Sequence, residues 1–342
     1  MRKLATIRRI GAVNPIPGAD AIEVASVGGW AVVVKKDEYR TGDLAIYCEI
    51  DSWIPHDLAP FLSKGQEPRE YNEVKGERLR TVKLRGQVSQ GLLLPLDTLP
   101  ADDPFNGSWT EGEDVSELLN IQKWEAPIPA QLAGDVEGPF PSYVPKTDQE
   151  RIQNLTEEFQ IWVDSAVNWE VTEKLDGSSM TVYFKDGKFG VCSRNWALRE
   201  NDTNSLWKQA RRYKLEAILA QEGNFAVQGE LVGEGIQGNP YKIQGQDFFV
   251  YDIFNINEQR YLSPAERRAF VERNSLKHVP VVAYNAELLD TLGIGSVEQI
   301  LQFAEGKSVL HVTAEREGLV FKHNGKTSFK AISNRFLLKT GN

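Results

Sequence analysis

One stretch constrains this chain more than any other. Residues 124–146 read WEAPIPAQLAGDVEGPFPSYVPK and are dense in proline and glycine. Proline fixes φ and lacks a donor, and glycine weakens regular elements, so no long helix or central strand is expected to cross this stretch. The chain must divide there, and the two sides carry different patterns. Upstream, IEVASVGGWAVVVKK, GDLAIYCEIDSWIP and RLRTVKLRGQVSQGLLLPL are rich in β-branched or apolar residues. Turn signals break them at Gly28-Gly29, Gly42-Asp43, Gly86 and Gly91. Downstream of Thr147, helical and strand-like runs alternate. DQERIQNLTEEFQIW and NSLWKQARRYKLEAILAQEGN read as helices, the second capped by Asn204 and stopped by Gly223. SPAERRAFVERN opens on Ser263 with Pro264 and the capping-box partner Glu266, and SVEQILQFAEG runs from Ser296 to Gly306. Between them lie a hairpin turning at Asp186-Gly187 and the strand-like FAVQGELVG, DFFVYDIFNI and EGLVFKHNGKTSFKAI. The expected class is α+β, with a first domain over 1–120, a linker over 121–146 and a second domain over 147–342.

Five short strands within about a hundred residues suit an OB-type β-barrel, a fold that commonly binds oligonucleotides. A barrel used only for packing remains the alternative, because a fold does not fix a function. The formal charge of −9 argues against a nucleic-acid binder. Locally, however, Lys64–Gly86 holds seven basic residues against four acidic ones. Alone, that surplus reads as a solvated hairpin face. No apolar run reaches membrane-spanning length, and MRKLATIRRIGAV lacks the apolar core of a secretory signal. Two cysteines, Cys48 and Cys192, are too few for a disulfide framework, and four scattered histidines give no metal-ligand spacing. The expectation is a cytoplasmic monomer in a reducing compartment, with no membrane partner.

The chemistry concentrates in TEKLDGSSMTVY, Thr172–Tyr183. A free lysine amine has a pKa near ~10.4 and must lose its proton to attack. Glu173 and Asp176 oppose that loss unless a divalent ion occupies the carboxylates and reverses the local field. Gly177 lets the backbone approach a substrate. Lysine, carboxylates and glycine together suit a metal-assisted phosphoryl acceptor. Lys-x-Asp-Gly alone is a weak pattern, so context decides. Arg194 is expected on the second arm of a hairpin beginning at the lysine. Glu230 follows in QGELVGEG, Asp252 in FFVYDIF, Glu317 in REGLVFK and Lys330 in SFKAIS. That order supplies a nucleophile, cations for a triphosphate, carboxylates for a metal and an aromatic face for a base.

This ordered set resembles the covalent nucleotidyltransferase superfamily of polynucleotide ligases and RNA capping enzymes. In that resemblance Glu173–Gly177 matches motif I, Ser193-Arg194-Asn195 motif Ia and Gly229-Glu230 motif III. Phe249–Ile253 matches motif IIIa, Glu317–Lys322 motif IV and Phe329–Ile332 motif V. Ser179 stands where DNA ligases usually carry arginine. Only twelve residues follow Lys330, so the barrel-like region lies upstream, as in RNA ligases with an N-terminal OB domain. The resemblance implies an ATP-dependent RNA ligase that seals 3′-hydroxyl and 5′-phosphate ends, at nicks in duplex RNA or RNA/DNA hybrids, through a lysine–AMP intermediate. Lys174 would carry the AMP, with Asp176 and Lys330 catalytic. Asp176, Glu230 and Glu317 would hold magnesium or manganese directly or through water. Arg151, Arg194, Lys322 and Lys330 would meet phosphates, Tyr251 would stack on adenine with Phe249 second, and Glu173, Ser179 and Glu230 complete the nucleotide set. Ser328 replaces the first motif V lysine, leaving Lys326 or Lys322 to cover its role. An RNA guanylyltransferase, or a nucleic-acid-binding protein with an inert nucleotidyl site, is the alternative.

Overall fold

A computed structural model describes residues 3–100, 108–125, 134–325 and 327–341. The chain forms two compact units, Met1–Pro127 with Leu337–Asn342, and Ile128–Phe336.

In the first unit, short strands join in four hydrogen-bonded sheets among the described residues. Leu44–Cys48 pairs on either side with Ala5–Arg9 and Leu92–Leu94. Ile22–Val27 pairs with Ala12–Pro15 and with Trp30–Lys35. Alternation is visible in Trp30–Lys35, where Trp30, Val32 and Val34 are buried and Ala31 and Val33 are not. Ile7, Ile46, Ile54 and Leu94 meet in the core. Gly91 is obligatory: a Cβ there would lie 2.3 Å from the Tyr47 ring, at a φ of +121°. The basic stretch forms two hairpins, Arg69–Tyr71 with Val74–Arg78 and Val82–Leu84 with Gln87–Ser89. It is not uniformly a solvated face. Arg78 is committed internally, 2.6 Å from Asp51 and stacked 3.9 Å over the Trp124 ring.

The second unit is built on two sheets. Ser178–Lys185 pairs with Lys188–Cys192 and with Phe225–Gly233, which pairs with Gln246–Asn255, inside an eight-stranded sheet. A five-stranded sheet holds Asn168–Lys174 between Gly318–His323 and Val281–Glu287. Phe321 and Phe329 stack on its core side with Trp169 edge-on to both, and losing such a ring costs about 3–5 kcal/mol.

Three sequence expectations change. The proline- and glycine-rich stretch does contain a strand: Val136–Pro139 pairs with Trp196–Leu198, as an edge where proline needs no donor. DQERIQNLTEEFQIW is α-helical only from Thr156, after a single 3-10 turn at Ile152–Asn154, because Glu150-Arg151 pairs in parallel with Phe329-Lys330. The long helix after Asn204 divides into Ser205–Arg212 and Leu215–Glu222 at Lys214, whose φ is +54°. The break turns Trp207 and Leu215 into one core. The caps at Asn204, Ser263 and Ser296 form as expected.

Candidate active site

Lys174 is the last residue of the strand Asn168–Lys174, and the next strand begins at Ser178 in the other sheet. Leu175-Asp176-Gly177 therefore carries the chain from one sheet to the other. The hairpin does not begin at the lysine. Gly177 permits the crossing, since a Cβ would lie 2.4 Å from the Leu231 carbonyl oxygen. The turn is anchored by the Asp176 backbone N–H, which donates to the Tyr241 hydroxyl at 2.6 Å.

Strand alternation decides which side chains share the site. Lys174, Thr172 and Glu170 lie on one face, opposite Gly318, Val320 and Lys322 of the neighbouring strand. Ser328 and Lys330 continue that face, directly across from Lys322 and Val320. Glu173 points to the opposite face and does not join the lysine. Its carboxylate accepts from the Val309 N–H at 2.8 Å, and burial raises its pKa against that bond and the Ser308 hydroxyl. Its side chain therefore lies on the face away from Lys174.

On the other sheet, Ser179, Glu230 and Phe249 are aligned across three strands. Past Phe249 the ladder is irregular: Val250 faces Gly229, Asp252 faces Gln228, and Tyr251 is the surplus residue of a β-bulge. The bulge keeps Asp252 on the face of Phe249. Tyr251 reaches Thr147 and Ser179, its hydroxyl 2.9 Å and 3.1 Å from theirs. Phe249 packs with Leu175, Tyr241 and Val279.

Two lysine–carboxylate pairs define the site. Lys174 Nζ donates to Glu317 at 2.6 Å. Burial lowers the Lys174 pKa, but Glu317 and Glu230 outweigh it and hold the amine protonated. Burial raises Asp176 to about 6 with Glu317 adding to the shift. Burial likewise raises Glu230 to about 8, against the pull of Lys174. The second pair is Lys322 with Asp252 at 2.8 Å, extended by Arg267 to Glu170 and His278. Burial lowers Lys322 to about 8, and burial with the nearby Arg267 lowers His278 to about 4. Neutral His278 accepts from Arg267 Nε and lies 2.6 Å from the Val279 carbonyl oxygen through Nδ1. Glu170, Arg267 and His278 were not expected from the sequence. Glu170 was findable, being two and four residues from Thr172 and Lys174 in one alternating strand.

The remaining cations gather beside Asp148. Lys330 Nζ donates to Asp148 Oδ1 at 2.9 Å, and Arg194 lies 3.6 Å from the same oxygen. Arg194 is past the second arm of its hairpin, which ends at Cys192. Arg151 is buried on the short strand paired with Lys330. Lys322 stands directly across from Ser328, with its ammonium committed to Asp252. Lys326 lies outside the described residues.

Asp176, Glu230 and Glu317 offer hard oxygens; burial first, and neighbouring carboxylates second, raise Asp176 and Glu230, and a divalent cation would favour their charged forms. Among the described residues no three His, Cys, Asp or Glu side chains stand close enough to hold an ion directly. Of the two expected modes, direct or through water, this spacing suits an ion held through its waters.

Residues 4–96 match an OB-fold domain, and residues 167–339 match the RNA ligase family. The chain is 48% identical to Naegleria gruberi RNA ligase solved with PPi, with a TM-score of 0.88 over 98% of each chain.

The chain belongs to the RNA ligase family.

A glutamate-to-alanine mutant of the Naegleria ligase, solved with ATP and Mn, aligns with a TM-score of 0.89 at 48% identity over 100% of each chain. A lysine-to-methionine mutant solved with AMP and Mn gives 0.88 at 48% over 98% of each. A comparison with curated proteins finds no match. The family and the fold class, an OB-fold unit followed by an α+β ligase unit, agree with the sequence reading. No helix among the described residues is long and apolar enough to cross a membrane.

Proposed function

We propose that this RNA ligase uses ATP to seal 3′-hydroxyl and 5′-phosphate ends at nicks in duplexes, through a covalent AMP on Lys174. The observation that carries the reading is Lys174 at the sheet crossing, hydrogen-bonded to Glu317, on the same sheet face as Lys330 and within the electrostatic reach of Arg194. The Naegleria ligase solved with ATP and Mn supports ATP and a divalent metal as its requirements.

The amine of Lys174 attacks the α-phosphorus, a P–N bond forms, and the α–β P–O bond breaks to release pyrophosphate. Glu317, already the acceptor of the Lys174 hydrogen bond, is placed to take the proton. A 5′-phosphate oxygen then displaces the amine and carries AMP away on the strand. Attack by a 3′-hydroxyl on that 5′-phosphate expels AMP and closes the strand. Magnesium or manganese, when bound, supplies positive charge that favours the neutral amine and offsets the phosphates. Asp176, Glu230 and Glu317 would hold it through water. Lys330, Arg194 and Arg151 are the phosphate cations, Tyr251 offers its ring to adenine, and Ser179 and Thr147 fix that ring through its hydroxyl. The Lys322 ammonium donates to the Tyr251 backbone carbonyl oxygen and so helps hold the same residue. The OB unit, assigned here to residues 1–120, presents the RNA through shape and phosphate contacts.

The test is the mass of the purified protein before and after ATP with a divalent ion. One AMP should appear on wild type and none on Lys174→Ala. Labelling by GTP alone would make it a guanylyltransferase. Sealing of pre-adenylylated nicked duplex RNA should fall steeply with salt, because phosphate contacts release counterions. Sealing insensitive to salt would remove the phosphate-presenting role.

A further inference from the structure

We infer that Asp148 is an internal counter-ion standing in the phosphate site of the empty enzyme, and that nucleotide must displace it. The inference rests on the proposed roles of Lys330 and Arg194. A single carboxylate oxygen, Asp148 Oδ1, lies 2.9 Å from Lys330 Nζ and 3.6 Å from Arg194. It meets the two cations together, as a phosphate oxygen would. Asp148 is seated there by the chain itself: two residues on, Glu150-Arg151 pairs in parallel with Phe329-Lys330, so the segment is fixed beside the strand that carries the lysine.

The charge accounting explains why an anion belongs there. Lys330 is pulled by burial down to about 8, and Asp148 is the largest influence opposing that fall. An empty site without Asp148 would bury an uncompensated cation, which is costly. The same contact must be given up when phosphate oxygens arrive, because like charges repel at this range. Asp148 also lines a cavity of about 180 Å³ with Thr147, Asp252 and Lys322, so it has room to swing aside. Nucleotide affinity is therefore lowered by the anion it replaces. Pyrophosphate leaving the site is helped by the same anion returning.

The test compares ATP affinity of Lys174→Met with that of Lys174→Met/Asp148→Asn by calorimetry, where no covalent step occurs. Mildly acidic pH keeps Lys330 protonated while Asp148 is present, below its depressed value of about 8, and favours the protonated form in the variant. The asparagine keeps the shape and removes the charge. Binding should tighten about tenfold, which is about 1.4 kcal/mol. In the otherwise wild-type chain, Asp148→Asn should lower the ATP KM for adduct formation and make added pyrophosphate a stronger inhibitor. Equal or weaker ATP binding by the double variant would overturn the inference, showing Asp148 to be a ligand of the nucleotide or a mere scaffold. A folded Lys174→Met that binds no ATP would instead refute the proposed nucleotide site itself.

Discussion

Lys174 and Lys322 project from neighbouring strands on one face of one sheet, and each meets a carboxylate, at 2.6 Å and 2.8 Å. Their side chains are 29% and 6% exposed. The first lysine has surplus carboxylates around it, which outweigh burial, and its pKa moves up; the second is lowered by burial, with Arg267 adding to the fall, and its pKa moves down. The difference teaches what the two ends of the site are for. A pair with excess negative charge and access to solvent can trade its partner for an incoming cation and substrate. A pair locked into Asp252–Arg267–Glu170 can only hold shape. Distance alone does not separate a reactive lysine from a structural one; the neighbours of the pair do.

The largest expected effect tests the reactive end. Glu317→Ala should lower the rate of lysine–AMP formation by at least about a hundredfold. Its unfolding free energy should change by less than about 1 kcal/mol, as for a solvent-accessible pair. Unfolding of Glu317→Ala in urea at much lower concentration than wild type would make the two pairs alike. The structural end should behave oppositely. Asp252→Ala leaves Lys322 buried without its carboxylate and Arg267 with Glu170 alone, and should cost about 3–5 kcal/mol in denaturant unfolding. A loss near zero would mean that the network is wet and exchangeable.

A third experiment sharpens the electrostatic side. Glu230 has a folded pKa of about 8 against an ordinary 4.5. The folded state therefore holds a proton that the unfolded chain has released across that window. Its stabilising contribution is complete below the ordinary value and is lost as pH rises through about 8. Thermal melts of the metal-free protein should decline as pH rises through this window, and Glu230→Gln should flatten the decline. Identical slopes for the two proteins would remove Glu230 as its source. The smallest effect concerns the turn between the sheets. Tyr241→Phe strips the acceptor from the Asp176 N–H and should cost about 1 kcal/mol of stability. It should slow adduct formation severalfold at saturating ATP without changing the ATP KM. A raised KM with unchanged maximal rate would place Tyr241 in nucleotide binding instead of in holding Asp176.

Much of this was legible before any coordinates. Lys174, Glu230 and Glu317 stood out because lysine, carboxylates and glycine recur in a fixed order on strand-like runs, and capping boxes and glycine stops marked the helices. Glu173 and Lys174 are neighbours in sequence whose side chains take opposite faces of the sheet, a separation that period-two alternation applied to Thr172–Lys174 makes legible. Glu150-Arg151 misled because helical periodicity continues through a segment that a remote strand captures. The Lys322 network was hidden because Arg267 lies on a helix nearly a hundred residues from Glu170, and only folding joins them. The register that sets Asp252 on the site face was hidden as well, since it depends on one unpaired residue.

That unpaired residue has a consequence for how the site can change over generations. Tyr251 has no opposite number on Phe225–Gly233, while Phe249, Val250 and Asp252 all do. Deleting its codon would close the ladder without reversing the facing of any other residue in the strand. Inserting a codon opposite it, between Gln228 and Gly229, would close the ladder too and give the ring a cross-strand mate, but would turn Asp252 off the face of Phe249. The ring proposed to meet the base is thus a detachable letter in an otherwise regular word, open to gain or loss in a single event. Asp252 and Phe249, spelled into the ladder itself, do not have that freedom.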